Sequence, residues 1–159
     1  MKSRLQSFCE IAVHQPVFLL TDLDRVKCAP SLIKKWMSNL EQPQNLVFRV
    51  AIREIESWLL ADHEAMRSLL GERIGKLPLD PDSLADPKQA LLTLAGRAPR
   101  EIREDLVAMD GALARQGLGY NAQLCQMVRS RWQPARAAER SESLARARVR
   151  LKELAGRLQ

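Results

Sequence analysis

The sequence predicts an α/β fold with a small parallel sheet near its start and a mostly helical C-terminal part. Three observations carry this. Val17 to Thr21 is a short run that is apolar on both faces, as a buried parallel strand is. "NLVFRVAI", Asn45 to Ile52, is a second run rich in β-branched and aromatic residues. Between them, "APSLIKKWMSNLEQP" puts Leu32, Ile33, Trp36, Met37 and Leu40 on one helical face, with Pro30 and Ser31 as a start and Pro43 as a stop. Strand, helix, strand is a βαβ unit, whose strands are parallel and whose crossover is nearly always right-handed.

The remaining elements follow in order. Lys2 to Val13 spaces Leu5, Phe8, Cys9, Ala12 and Val13 as one face of an opening helix that stops before Pro16. After Asp62 the reading is helical to the end. "HEAMRSLLG" closes on Gly71, "KLPLDPDSLADP" is a connector, and "DPKQALLTLAG" has Asp86 as N-cap, Pro87 in the first turn and Gly96 as a stop. A helix is expected over Pro99 to Ala114. "QGLGYNAQLCQMV" reads as a glycine turn and a helix capped by Asn121. The last segment holds two helical pieces, the second capped by Ser141 or Ser143 ahead of Leu144, Ala147, Leu151 and Leu154. Residues 1–159 read as a single domain, with an α/β core over 1–62 and a helical extension over 63–159. Two strands make a poor core layer. A third is therefore expected from a segment read otherwise, from sequence upstream of Met1, or from a second copy or partner chain that completes the sheet.

Composition narrows the chemistry. The chain is 46% hydrophobic and 28% charged, ordinary for a globular domain. No apolar run approaches the ~18 residues of a membrane span, and the N-terminus lacks a signal peptide's apolar core, so a cytoplasmic location without a membrane partner is expected. Cys9, Cys28 and Cys125 lie far apart and read as reduced, inert thiols. His14 and His63 form no ligand pattern. Glycine-rich phosphate loops are absent. Chemistry must come from carboxylates, Lys, Arg or Tyr.

The carboxylates are placed where such chemistry would be. In "PVFLLTDLDRVK", Asp22 and Asp24 stand at the end of the first strand; in "REIESWLLAD", Glu54 and Glu56 follow the second. Parallel strands put both segments at the same sheet edge, where open α/β sheets bind ligands. Mg²⁺ or Mn²⁺ takes oxygen ligands, commonly one or two carboxylates with water and substrate phosphate. Asp-x-Asp as the sheet gives way to loop supplies them, with Glu56, favoured over Glu54, as a supporting ligand or base. The alternative is structural: the aspartates cap the loop or pair with Arg25, Lys27 and Arg53.

"FLLTDLDR", "RVAIREIESWLLAD", "DPK", "GYN" and "SESLARA" together resemble a group of small bacterial proteins related to the Toprim superfamily, the metal-binding domain of topoisomerases, primases and OLD-type nucleases. The likeness runs from Pro16 to Leu154, in order. It implies a Toprim-like fold, Mg²⁺ or Mn²⁺ as cofactor, Asp22 and Asp24 as metal ligands, and a role in cutting nucleic acid, in defence against phage or on mobile elements. The sequence departs from the superfamily at one point: Toprim domains carry a glutamate after a strand that precedes the Asp-x-Asp strand. Only the Lys2 to Val13 helix stands there, and Glu10 lies inside it, so that role is not carried over. The alternative function is a non-catalytic nucleic-acid-binding or protein-interaction module that keeps the fold.

Net charge is +6 and uneven, with 11 basic and 10 acidic residues in 1–80 against 14 and 9 in 81–159. "RSRWQPARAAERSESLARARVRLK" concentrates the excess, and Arg136, Arg140, Arg146 and Arg150 are its expected phosphate contacts, with Arg146 and Arg150 on one face. Lys88, in the first turn of its helix, is a fifth. Against this stands a solvated helix face. Trp132 either stacks on a base or covers the core, Tyr120 either offers an aromatic platform or proton donor or anchors its loop, and Trp36 and Trp58 read as core.

Overall fold

The computed structural model describes residues 2–26 and 28–158, and the fold is mixed α/β. Helix α1 (Lys2–His14) leads into β1 (Val17–Asp22), which is followed by α2 (Ala29–Met37) and β2 (Leu46–Ala51). The strands pair in parallel, from Val17 opposite Leu46 to Asp22 opposite Ala51. Among the described residues the sheet has these two strands, and no segment read as helix or connector adds a third.

Period-two alternation along β2 divides the core. Leu46, Phe48 and Val50 turn to one face and pack with Leu5, Cys9 and Ala12 of α1 and Leu32 of α2. Trp36 stacks on Phe48 at 5.7 Å between ring centroids. On the other face Ala51 meets Trp58 and Ala61 of α3 (Glu56–Ala61), with Ala137, Leu144 and Ala147 from the end of the chain. All six residues of α3 are buried. Its Leu59 and Leu60 turn away from the sheet into a larger cluster with α4 (His63–Leu70), α5 (Pro87–Ala95), α6 (Arg100–Leu106) and α7 (Tyr120–Ser130). Helix α3 is thus the joint between sheet and helical part.

Two carboxylates, one buried and one half-buried, hold the last helices, α8 (Pro134–Ala137) and α9 (Glu142–Gly156), in place. Asp62, fully buried, ends α3 and caps α4 by accepting from the Ala65 N–H. It also accepts from the Gln133 N–H at 2.7 Å and from Arg136 Nε and Nη2, both at 2.9 Å. Asp82, in the connector, accepts from the Ser143 N–H at 2.8 Å and the Ser141 hydroxyl at 3.0 Å. Ser141 in turn caps α9 by accepting from the Leu144 N–H, and the Trp58 indole donates to Ser143 Oγ at 2.7 Å.

Two readings are corrected. The helix expected over Pro99 to Ala114 stops at Leu106: Val107 bridges antiparallel to Gln116, around a turn in which Gly111 has φ 86°. Gly117 makes this return possible, since a Cβ there would fall 2.3 Å from the Asp105 carbonyl oxygen. Asn121 does not cap α7, which begins one residue earlier with Gly119 in the capping position. Gly71 at φ 87° closes α4, Asp86 caps α5 by accepting from the Gln89 N–H, and no described helix is long and apolar enough to cross a membrane.

Candidate functional site: an acidic edge at the ends of the parallel strands

The strand ends are tied across the gap before the chains diverge. The Leu23 N–H donates to the Ala51 carbonyl at 3.0 Å and the Asp24 N–H to the Arg53 carbonyl at 2.8 Å; Arg53 Nη1 returns a bond to the Asp24 carbonyl at 3.2 Å. Both partners of this clasp are left-handed, Asp24 at φ 51° and Arg53 at φ 62°. Aspartate tolerates that region better than arginine, and each such residue costs on the order of 1–3 kcal/mol, held only where surrounding bonds determine it. The clasp turns both chains at the sheet edge.

Four carboxylates gather there. Asp22, half-buried as the last residue of β1, has its carboxyl pushed above the usual range, first by burial and then by the charge of Glu56. An Ile55 backbone N–H opposes the shift, and Asp24 and Glu54 add to it. Glu56, buried at the start of α3, accepts from the Tyr120 hydroxyl at 2.7 Å. Glu54, just before α3, accepts from the Lys88 backbone N–H at 2.9 Å, in the first turn of α5 where the helix dipole favours a negative charge. Lys88 Nζ lies 5.0 Å from the centroid of the Tyr120 ring, a cation–π distance. Burial, then Glu56, then Glu54 hold the Tyr120 hydroxyl well above its ordinary pKa, so it stays a donor.

The edge opens to solvent through a cleft of about 580 Å³ lined by Asp24, Arg25, Arg53, Glu54 and Asp86. A second, of about 330 Å³, lies beyond Glu54 and Asp86 and reaches Lys88 and Arg115. Arg115 faces Asp86 at 3.9 Å.

The donor set suits a hard divalent cation in kind: oxygens only, of like charge, with Asp22 held above its usual pKa by burial and then by Glu56. In number it suits Mg²⁺ as that ion is usually held, by one or two carboxylates with water and phosphate completing the shell. Among the described residues no three carboxylate, imidazole or thiolate groups are close enough to hold an ion by themselves.

The other sequence-selected cations disperse. Arg136 is committed to Asp62, with Glu64 at 3.2 Å, and its guanidinium is held above even arginine's ordinary pKa, chiefly by the Asp62 hydrogen bond. Arg140 lies 4.0 Å from Glu139, Arg146 pairs with Glu142, and Arg150 pairs with Glu153 at the flank of β2. Lys88 alone of the five stands at the acidic edge. Lys27 lies outside the described residues. Trp132 is half-buried and donates to the Trp58 carbonyl at 3.1 Å, which makes it a core cover. Three features escaped the sequence reading: the Tyr120 to Glu56 bond, the Lys88 backbone as partner of Glu54, and the Arg53 clasp. "GYN" after a glycine turn was the available signal for the first; the others depend on backbone geometry. No family model matches the chain, and neither a curated protein nor a solved structure matches it.

Proposed function

We propose that the chain is a Toprim-like, Mg²⁺- or Mn²⁺-dependent enzyme acting on phosphodiester bonds of nucleic acid. One observation carries the reading: Asp22, Asp24, Glu54 and Glu56 stand at the carboxyl ends of two parallel strands, where burial and then the charges of Glu56, Asp24 and Glu54 raise the Asp22 pKa. Asp22 and Asp24 would hold the ion. When bound, the ion supplies Lewis-acid stabilisation of charge on a phosphoryl oxygen.

The chain's own residues do the rest. Glu56 is oriented by Tyr120, whose bond occupies Oε1 and leaves Oε2 without a hydrogen bond among the described residues, free to support the ion or accept a proton from an attacking water. Glu54 is fixed in the same way through Oε2. Arg25 and Arg53, lining the cleft beside Asp24, would meet substrate phosphate. Left-handed backbone at both strand ends fits a site, since such strain concentrates where function needs it.

A second reading is a non-catalytic nucleic-acid-binding or protein-interaction module. It is favoured by the structural work these carboxylates already perform: Glu54 anchors α5 and Glu56 anchors α7 to the sheet. Incubating labelled single- and double-stranded DNA and RNA with the protein and Mn²⁺ separates the two. The enzyme reading predicts cleavage that EDTA abolishes and that Asp22→Asn/Asp24→Asn lowers by at least a hundredfold. No metal-dependent cleavage of any of the four, or equal cleavage by the double variant, rejects it.

A further inference from the structure

The molecule has a second charged feature, opposite in sign to the carboxylates and set along the edge of β2 rather than at the strand ends. Beyond the free edge of β2, between α2 and α9, lies an open groove of about 670 Å³. Its floor is apolar, with Ile33, Met37 and Phe48, and its charged rim is Lys34, Arg49 and Arg150. A neighbouring cleft of about 500 Å³ shares Gln42, Leu46 and Arg150 with it and extends the groove to Arg157. No acidic side chain lines either.

Arg49 is the unusual member. It is the one position of β2 that is not buried, in a strand whose pattern is otherwise closed. Its Nε–H is shielded from solvent and has no hydrogen-bond partner, and Arg49 makes no ion pair among the described residues. Burial, and then the like charge of Arg150, pull its pKa below the ordinary value, against the opposing charge of Glu153. A guanidinium carries five donors, and leaving a shielded one unanswered costs free energy. Glu153 pairs with Arg150 and offsets part of the charge around Arg49, yet it leaves the Arg49 Nε–H unanswered, a donor that an anion in the groove would complement.

We propose that the edge of β2 is a binding groove for the phosphates of a nucleic-acid strand, with Arg49 and Arg150 gripping one phosphate and Lys34 and Arg157 its neighbours. Three observations favour this occupant. Cations recur along the groove, as a repeating polyanion requires. Arginine's planar fork matches phosphate oxygens in pairs. The apolar floor offers a surface for base faces. Arg49 lies two residues along the sheet from Asp22, roughly 7 Å at about 3.3 Å per residue. The groove extends the reading given above, yet it needs no metal, so the two can fail separately.

The test is fluorescence anisotropy of a labelled DNA oligonucleotide on the full chain, in EDTA, across a salt series. The wild type is expected to bind with a negative salt slope. Arg49→Gln/Arg150→Gln should weaken binding about tenfold or more at low salt and flatten the slope by about 1.4, or ~0.7 for each cation removed. Arg49→Lys, which keeps the charge, should keep the slope and most of the affinity. Arg100→Gln/Arg103→Gln on α6, which removes the same charge elsewhere, should change neither. The proposal is overturned if the wild type does not bind, if the α6 variant loses as much as the groove variant, or if a polyglutamate peptide of equal charge displaces the DNA as well as unlabelled DNA does.

Discussion

Asp22 carries a carboxylate that the fold would be more stable without. Its pKa is raised in the folded protein by burial and by Glu56, so the folded state binds its proton more readily than the unfolded chain does. Stability from this group is therefore highest in acid and falls as pH rises through the window between the ordinary carboxylate value, about 3.9, and the raised one. Asp22→Asn, which removes the charge with little change of shape, is expected to raise Tm at pH 7, and thermal melts should show the gap closing below about pH 4. A Tm that falls equally at both pH values would mean that the carboxylate is a structural cap. Tyr120 behaves oppositely. Its hydroxyl satisfies a buried carboxylate, and a hydrogen bond to a charged acceptor contributes about 1.5–3 kcal/mol, so Tyr120→Phe should lower Tm by roughly 4–10 °C. At this scale the sequence was informative where residues sit close together. "DLD" and "EIE" name all four carboxylates, but the bond from Glu56 to Tyr120 spans 64 residues and no spacing rule reaches that far.

The elements are joined by buried polar bonds. Asp62 ends one helix, starts the next and receives α8. Burial alone would raise its carboxyl; bonds from Arg136, from the Gln133 and Ala65 N–H groups and the Arg136 charge outweigh it and hold the pKa below the usual range. The stability it contributes is present above the unfolded pKa and is lost as pH falls through the depressed one. Arg136→Ala leaves that buried charge without its main partner, a change that typically costs about 3–5 kcal/mol, and Tm should drop by on the order of 10 °C with loss of the α8 contacts. An unchanged Tm would show that the pair is dispensable. Arg136 thus belongs to the fold, although its place in a basic segment made it read as a phosphate contact. Local cap signals were legible at Asp86 and Ser141, which cap as their types predict, and misleading at Asn121, which lies inside α7. The early end of α6 was not, because it follows from Gly117 lying against the Asp105 backbone, a tertiary contact.

For the whole molecule, the parallel βαβ unit and the meeting of both acidic segments at one sheet edge were legible, since strand order and helix length determine the topology. What remained hidden is how so thin a sheet is closed. Helix α3 is covered on both sides, and β2 is flanked by α9, which returns from the far end of the chain and brings Arg150 beside Arg49. That return places the basic groove along one edge of β2 and leaves the acidic cluster at the strand ends.

Metal binding at the acidic edge, as proposed above, is open to direct test by thermal unfolding with and without Mn²⁺. A ligand that binds only the folded state stabilises it by about 2.7 kcal/mol at a hundredfold excess over Kd, a Tm rise of roughly 5–10 °C for a chain of this size. That rise is expected for the wild type and none for Asp22→Asn/Asp24→Asn, measured against each protein's own metal-free Tm. Equal shifts in both proteins, or no shift in either, would contradict it.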